Sequence, residues 1–209
     1  MSDLSPHAAR LRTLPPSCGP VRLIAVDGHA GSGKSTFAAR LAAELGDAPV
    51  LHLDDLASHA EMFDWTDRFR SQVAGPLSHG EPARYEPYDW TARHFGPPRT
   101  LEPAPVVLVE GVGAGRRALR PLLAHLLWMD LPAAESWERG RRRDGPALTA
   151  FWDDWTTAES AHFSADPSRA SADVLMRQLP VGYEWLEGSG ATARASHSVT
   201  QSDHPVPPY

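Results

Sequence analysis

Residues 21–35 read Val-Arg-Leu-Ile-Ala-Val-Asp-Gly-His-Ala-Gly-Ser-Gly-Lys-Ser, and this stretch decides the fold. Its first half, 21–27, is a short apolar, β-branched run, as expected of a parallel strand buried on both faces. Its second half fits G-x-x-x-x-G-K-[ST]: Gly28, His29, Ala30, Gly31, Ser32, Gly33, Lys34, Ser35. Glycines let the backbone wrap so that its N–H groups point inward at phosphate oxygens. A helix beginning at Lys34 adds its positive end. Lys34 is placed for the β/γ oxygens, Ser35 for Mg²⁺, and Thr36 for an inner phosphate. A chance match in a chain of this length has odds on the order of 1%, and here a strand precedes the motif and a helix follows it.

Working outward, residues 34–45 (KSTFAARLAAEL) predict a helix with Phe37, Leu41 and Leu45 on one face. Residues 50–53 (VLHL) predict a second strand that ends at Asp54 and Asp55. Residues 106–110 (VVLVE) predict a third, 126–131 (LLWMDL) a fourth and 172–176 (ADVLM) a fifth. Helices are expected over 115–124, 133–143 and 148–163. Strands alternating with helices give an α/β three-layer P-loop NTPase fold on a mainly parallel five-stranded sheet. Residues 1–20 read as a loose lead-in containing a short helix, and 21–180 as the main domain. Residues 56–104 hold prolines and the aromatics Phe63, Trp65, Phe69, Tyr85, Tyr88, Trp90 and Phe95, and read as an inserted acceptor-binding segment rather than core. Residues 188–209 are Ser-, Ala- and Pro-rich and are expected to be disordered.

The chain has 209 residues, 42% of them hydrophobic, enough for one sizeable core. A net charge of −6 argues against nucleic acid as the main partner. No apolar run reaches the length needed to cross a bilayer. With a single cysteine, Cys18, and no basic-then-apolar start, a soluble cytoplasmic protein is expected. A homo-oligomer is compatible with these features. Among nineteen arginines stands one lysine, Lys34. An ammonium at the β/γ-phosphates is not interchangeable with the planar arginine fork.

With no second lysine, the chain lacks the Asn-Lys-x-Asp box of guanine-reading switches. Asp54, Asp55 and Glu110 end the two neighbouring strands, where parallel sheets form their ligand crevice. That placement suits phosphoryl transfer, with one carboxylate taking a hydroxyl proton and another helping to hold Mg²⁺. Arg139 and Arg143 stand four apart in Arg-Gly-Arg-Arg-Arg and share a helix face, where they can close over a phosphoryl group as a lid spanning 137–147. Arg141 and Arg142 are expected to point elsewhere.

The ordered runs IAVDGHAGSGKST (24–36), HLDDL (52–56), FDWTDRF (63–69), YDW (88–90), VVLVEG (106–111), RGRRRDG (139–145) and ADVLM (172–176) resemble the uridine kinase branch of P-loop kinases. Phosphoribulokinase and bacterial pantothenate kinase belong to the same branch. The resemblance spans about residues 21–177 and implies an ATP- and Mg²⁺-dependent kinase acting on a small alcohol. It implies that Asp54 is the catalytic base, with Lys34, Arg139 and Arg143 completing the catalytic set, and that Ser35, Glu110 and Asp54 serve the metal. It places Asp64 at ribose hydroxyls and Tyr88 and Trp90 against a nucleobase. The histidine of the family that reads a pyrimidine edge is replaced by Arg93 or displaced to His94, and Leu56-Ala57 stand where aromatics are usual. Three readings follow: a nucleoside kinase of the uridine or cytidine type, a kinase for a pantothenate- or sugar-like alcohol, and a regulatory ATP-binding protein with little turnover.

Overall fold

The computed structural model describes residues 4–190. Helix α1 (Ser5–Arg12) leads into strand β1 (Arg22–Asp27), the phosphate loop and helix α2 (Lys34–Glu44). Strand β2 (Val50–His52) follows, then a 3₁₀ turn, Leu53–Asp55. A helical run comes next, made of α3 (Thr66–Arg68), a π-helical stretch (Phe69–Ala74) and α4 (Gly75–Ser78). Two small antiparallel ribbons pair β3 (Ala83–Tyr85) with β6 (Arg99–Leu101), and β4 (Tyr88–Asp89) with β5 (His94–Phe95). The chain re-enters the main sheet as β7 (Val106–Glu110) and β8 (Leu123–Met129). Helices α5 (Ala133–Asp144) and α6 (Thr149–Ala165) and the strands β9 (Val174–Gln178) and β10 (Tyr183–Glu187) complete it.

The main sheet has six strands in the order β10-β9-β8-β1-β7-β2. Five are parallel, and β10 adds an antiparallel edge through Tyr183↔Gln178 to Glu187↔Val174. This sixth strand corrects the expected five. Alternation along β1 explains the three layers. Leu23 and Ala25 join one apolar cluster with Val107, Val109 and Leu126, while Ile24 and Val26 join another with Phe37, Leu41 and Leu108. With both faces covered, the strands bury nearly all their side chains.

Three other expectations change. The lead-in is packed rather than loose: Leu4, Ala8 and Leu11 of the α1 region enter the cluster formed by α2. The segment 115–124 is not a helix. The carboxylate of Asp27 accepts the N–H groups of Gly113 and Gly115, which holds the chain in a loop, and only Arg120–Leu122 winds into a 3₁₀ turn around Pro121. The segment 56–104 contributes heavily to the core, with Trp65, Phe69, Val73, Leu77 and Tyr85 all buried in the cluster containing Leu23. Of the tail, Gly188 and Gly190 donate N–H bonds to the carbonyls of Asp173 and Ala172, and residues 191–209 lie outside the described residues. Among the described residues no helix is long and apolar enough to cross a membrane.

Candidate active site

The phosphate loop begins where β1 ends and stops at the first turn of α2. Gly31 and Gly33 take φ of +84° and +97°, values that suit glycine. At Gly31 a Cβ would sit 2.0 Å from the carbonyl oxygen of Ser136, so the loop is pressed against α5 as well as curled. Lys34 is buried, and its Nζ donates to the carbonyl of His29 at 3.0 Å. Some loop amides already have partners: Gly28 donates to Asp27 Oδ1 at 2.7 Å, Ser32 to the carbonyl of His29 at 3.0 Å, and Ala30 to Glu159 at 3.2 Å. The first N–H groups of α2 are open at the helix start, as in any α-helix.

A cleft of about 530 Å³ lies over this loop. Gly31, Gly33, Lys34, Ser35 and Thr36 form one wall; Arg139, Arg142 and Arg143 of α5 form the other. The expected pair of arginines therefore faces the loop. Arg142 joins them, against expectation, while Arg141 turns away to Asp153 at 2.8 Å. Arg139 also reaches Gln178 Oε1 of β9 at 3.2 Å. Gly28, His29, Ala30 and Ser32 stand outside the lining of this cleft.

A second cavity, of about 310 Å³, adjoins it. Its wall is aromatic: His59, Trp90, Phe151, Trp152 and Trp155. Its polar members include Asp54, Thr91, Arg143 and Asp144, and Ala30 carries the phosphate loop to its edge. Arg143 lines both cavities. The indole of Trp90 is fixed beside Asp54, because its Nε1 donates to the Asp54 carbonyl at 3.1 Å. Asp55 is engaged elsewhere: Tyr85 Oη donates to it at 3.3 Å and Arg99 lies at 3.5 Å. Tyr88 stands behind the wall, with its hydroxyl 3.0 Å from His59 Nδ1. Asp64 and Arg93 are exposed and line neither cavity.

No family model and no curated protein sequence matches the chain. Solved structures do. One is a possible uridine kinase from Bacillus stearothermophilus, 18% identical with a TM-score of 0.56 over 82% of this chain and 96% of that one. Another is a candidate fructose transport system kinase from Silicibacter, 22% identical with a TM-score of 0.57 over 78% of this chain and 89% of that one. The fold is that of the P-loop kinases.

On this P-loop kinase fold the ends of β2 and β7 bring a carboxylate pair toward Lys34. Asp54 is reachable by solvent, yet surrounding protein crowds it. Lost hydration and the charge of Glu110 push its pKa from 3.8 up to about 6, against the pull of Lys34 and His52. Glu110 is buried, which alone would raise its pKa. A 2.5 Å hydrogen bond with His52 Nδ1, the Lys34 charge and a bond with Ser35 outweigh burial and hold it low. The same bond raises the pKa of His52. Arg143 and Asp144 form a close pair, Nε to Oδ1 2.6 Å, so their charges largely cancel.

Among the described residues no preformed cluster of metal-ligating side chains exists. Mg²⁺ in phosphoryl-transfer sites needs few protein ligands, one or two carboxylates beside phosphate and water. The all-oxygen set of Ser35, Glu110 and Asp54 fits that requirement. Residues that sequence reasoning missed are His52, His59, Phe151, Trp152, Trp155 and Glu159. The helix carrying the last four was legible, but not the cavity it faces.

Proposed function

We propose that the protein is an ATP-dependent phosphotransferase that moves the γ-phosphate to a hydroxyl of a small, neutral, ring-bearing acceptor, with a nucleoside as the best fit. The observation that carries this reading is Arg143, a cation shared by the phosphate cleft and the aromatic cavity at the point where Asp54 enters the latter. A donor seated on the loop and an acceptor seated against Trp90 would meet there.

The chemistry divides among this chain's residues as follows. Asp54 takes the acceptor's hydroxyl proton, and its raised pKa makes it a better proton acceptor than an ordinary aspartate. The freed oxygen attacks the γ-phosphorus, and the bond to the bridging oxygen of ADP breaks. Lys34 holds the β/γ oxygens, while Arg139 and Arg143 spread the charge of the transferring group. Ser35 and Glu110, with Asp54 on the acceptor side, would hold Mg²⁺, which supplies charge neutralisation at the β/γ-phosphates.

The acceptor class follows from the lining. Rings stack on flat partners, and Trp90 lies 4.9 Å from His59 and 5.7 Å from Phe151, centroid to centroid. The charged members of the wall are Asp54 and the mutually compensated Arg143–Asp144 pair. Nothing in that set rewards an anionic acceptor such as a sugar phosphate or a carboxylate. The test is ADP release from MgATP against nucleosides, sugars and pantothenate-like alcohols, with wild type, Lys34→Ala and Asp54→Asn. A nucleoside should be turned over by wild type and by neither variant. An Asp54→Asn enzyme with the wild-type rate removes the base assignment. A broad panel without turnover, alongside tight ATP binding, replaces this reading with a regulatory nucleotide-binding module.

A further inference from the structure

Glu159 of α6 is fully buried, and its carboxylate collects hydrogen-bond donors from three different parts of the site. Oε1 accepts from Trp137 Nε1 of α5 at 2.9 Å and lies 2.7 Å from His29 Nδ1 of the phosphate loop. Oε2 accepts from Trp155 Nε1 at 2.8 Å and from the Ala30 amide at 3.2 Å. Backbone amides and indoles can only donate, so these partners demand an acceptor at both oxygens. An ionised carboxylate meets that demand, whereas a carboxamide turns its own N–H₂ against another donor. A buried carboxylate is costly unless its bonds are complete.

Each donor belongs to a working part. His29 and Ala30 lie in the loop, and the His29 carbonyl is the acceptor for Lys34 Nζ. Trp137 stands on the helix that carries Arg139 and Arg143. Trp155 lines the aromatic cavity. We propose that Glu159 is the positioning residue of this site, fixing the phosphate loop, the arginine helix and the acceptor wall in one relative arrangement through its ionised carboxylate. This rests on the phosphotransfer reading for its kinetic arm alone.

The test compares wild type with Glu159→Gln, Trp137→Phe and Trp155→Phe. MgATP affinity is measured by direct titration, which needs no acceptor, and kcat and acceptor KM are measured with whichever acceptor wild type turns over. Thermal melts fix an assay temperature at which every variant is folded. Glu159→Gln should bind MgATP about tenfold more weakly and lose on the order of 100-fold in kcat, the loss typical of reacting groups misplaced by about 1 Å. Trp155→Phe keeps an aromatic ring and loses the N–H donor, so it should raise acceptor KM several-fold and leave MgATP affinity within about twofold. Trp137→Phe should weaken MgATP instead. A folded Glu159→Gln with wild-type affinity, KM and kcat overturns the proposal. Should Glu159→Gln not fold, the two tryptophan variants decide, and wild-type constants in both overturn it. If no acceptor is turned over by wild type, the phosphotransfer reading falls, and the titration arm still decides the role of Glu159.

Discussion

Gly140 sits in α5 against the indole of Trp152, and replacing it with alanine sets two effects against each other. A helical Gly→Ala change favours the helix by about 1 kcal/mol. The new methyl, however, would stand 2.2 Å from Cη2 and 2.4 Å from Cζ2 of Trp152. Ordinary contact starts at 3.4 Å, so helix and ring must part by about 1.2 Å. Overpacking of that kind costs roughly 1–3 kcal/mol, so the net loss is about 0–2 kcal/mol. At roughly 2–4 °C per kcal/mol for a chain of this size, Tm should fall by less than about 8 °C. The kinetic effect should be larger. Trp152 lines the aromatic cavity, and its Nε1 donates to Asp144 at 3.1 Å, the residue paired with Arg143. A shift of about 1 Å at Arg143 should lower kcat on the order of 100-fold. The assay is a double-mutant cycle in thermal melts and steady-state kinetics, with Trp152→Leu as the second change. Leucine removes the ring atoms in conflict, so Gly140→Ala should become stabilising in that background. An equal cost of Gly140→Ala with and without the indole would refute the reasoning.

Two further outcomes follow from named groups. Asp54 has a folded pKa of about 6 against 3.8 in the open chain, so folding favours its protonated form and the ionised form costs stability. In metal- and nucleotide-free protein, Asp54→Asn should therefore raise Tm above pH 6, with the gain shrinking between pH 6 and 3.8 and vanishing below; a gain independent of pH contradicts the assigned shift. Asp27 accepts three buried backbone N–H bonds, from Gly28, Gly113 and Gly115 at 2.7–2.8 Å, so Asp27→Asn must leave a donor unmatched. That should cost about 1–3 kcal/mol, read as a lower melting temperature, and an unchanged Tm would show that the loop after β7 relaxes freely.

The parts of the molecule legible in the sequence are those where local pattern and tertiary role agree. The buried run 22–27, the glycines at 28, 31 and 33 and the helix from Lys34 each carry their own signal, and together they place the phosphate cleft. Trp65, Phe69, Val73 and Leu77 recur every four residues, the spacing of a helix face, yet the prolines and aromatics around them suggested a binding surface. Their burial shows that the periodicity was the better guide. Strand β10 hides because it is an edge: Tyr-Glu-Trp-Leu-Glu mixes charged and apolar residues without a clean alternation, and its Trp185 stacks on His7 at 3.7 Å, a partner far away in sequence. Glu159 hides for a similar reason. On α6 it reads as one acidic residue on an amphipathic helix, and only the approach of His29, Ala30 and Trp137 gives it a function.

Under the proposed function, the charge around Lys34 gives the arginine helix a part in binding as well as in chemistry. Asp54, Glu110 and Glu159 all feel the Lys34 charge, so the chain's one ammonium already answers to three carboxylates. A polyphosphate entering this loop meets a neighbourhood that is negative before it arrives. Backbone dipoles at the start of α2 offset part of that, and Mg²⁺ offsets more. The guanidinium groups on the cleft wall are those of Arg139, Arg142 and Arg143, all on α5; Arg142 is paired with Glu138 and Arg143 with Asp144, which leaves Arg139 as the least compensated of the three. Helix α5 touches the loop at Gly31 and is tied to it through Glu159, so the arginines already stand opposite the loop. Under the proposed function, the helix that faces the donor also presents Arg143 to the aromatic cavity, and one element would serve both substrates.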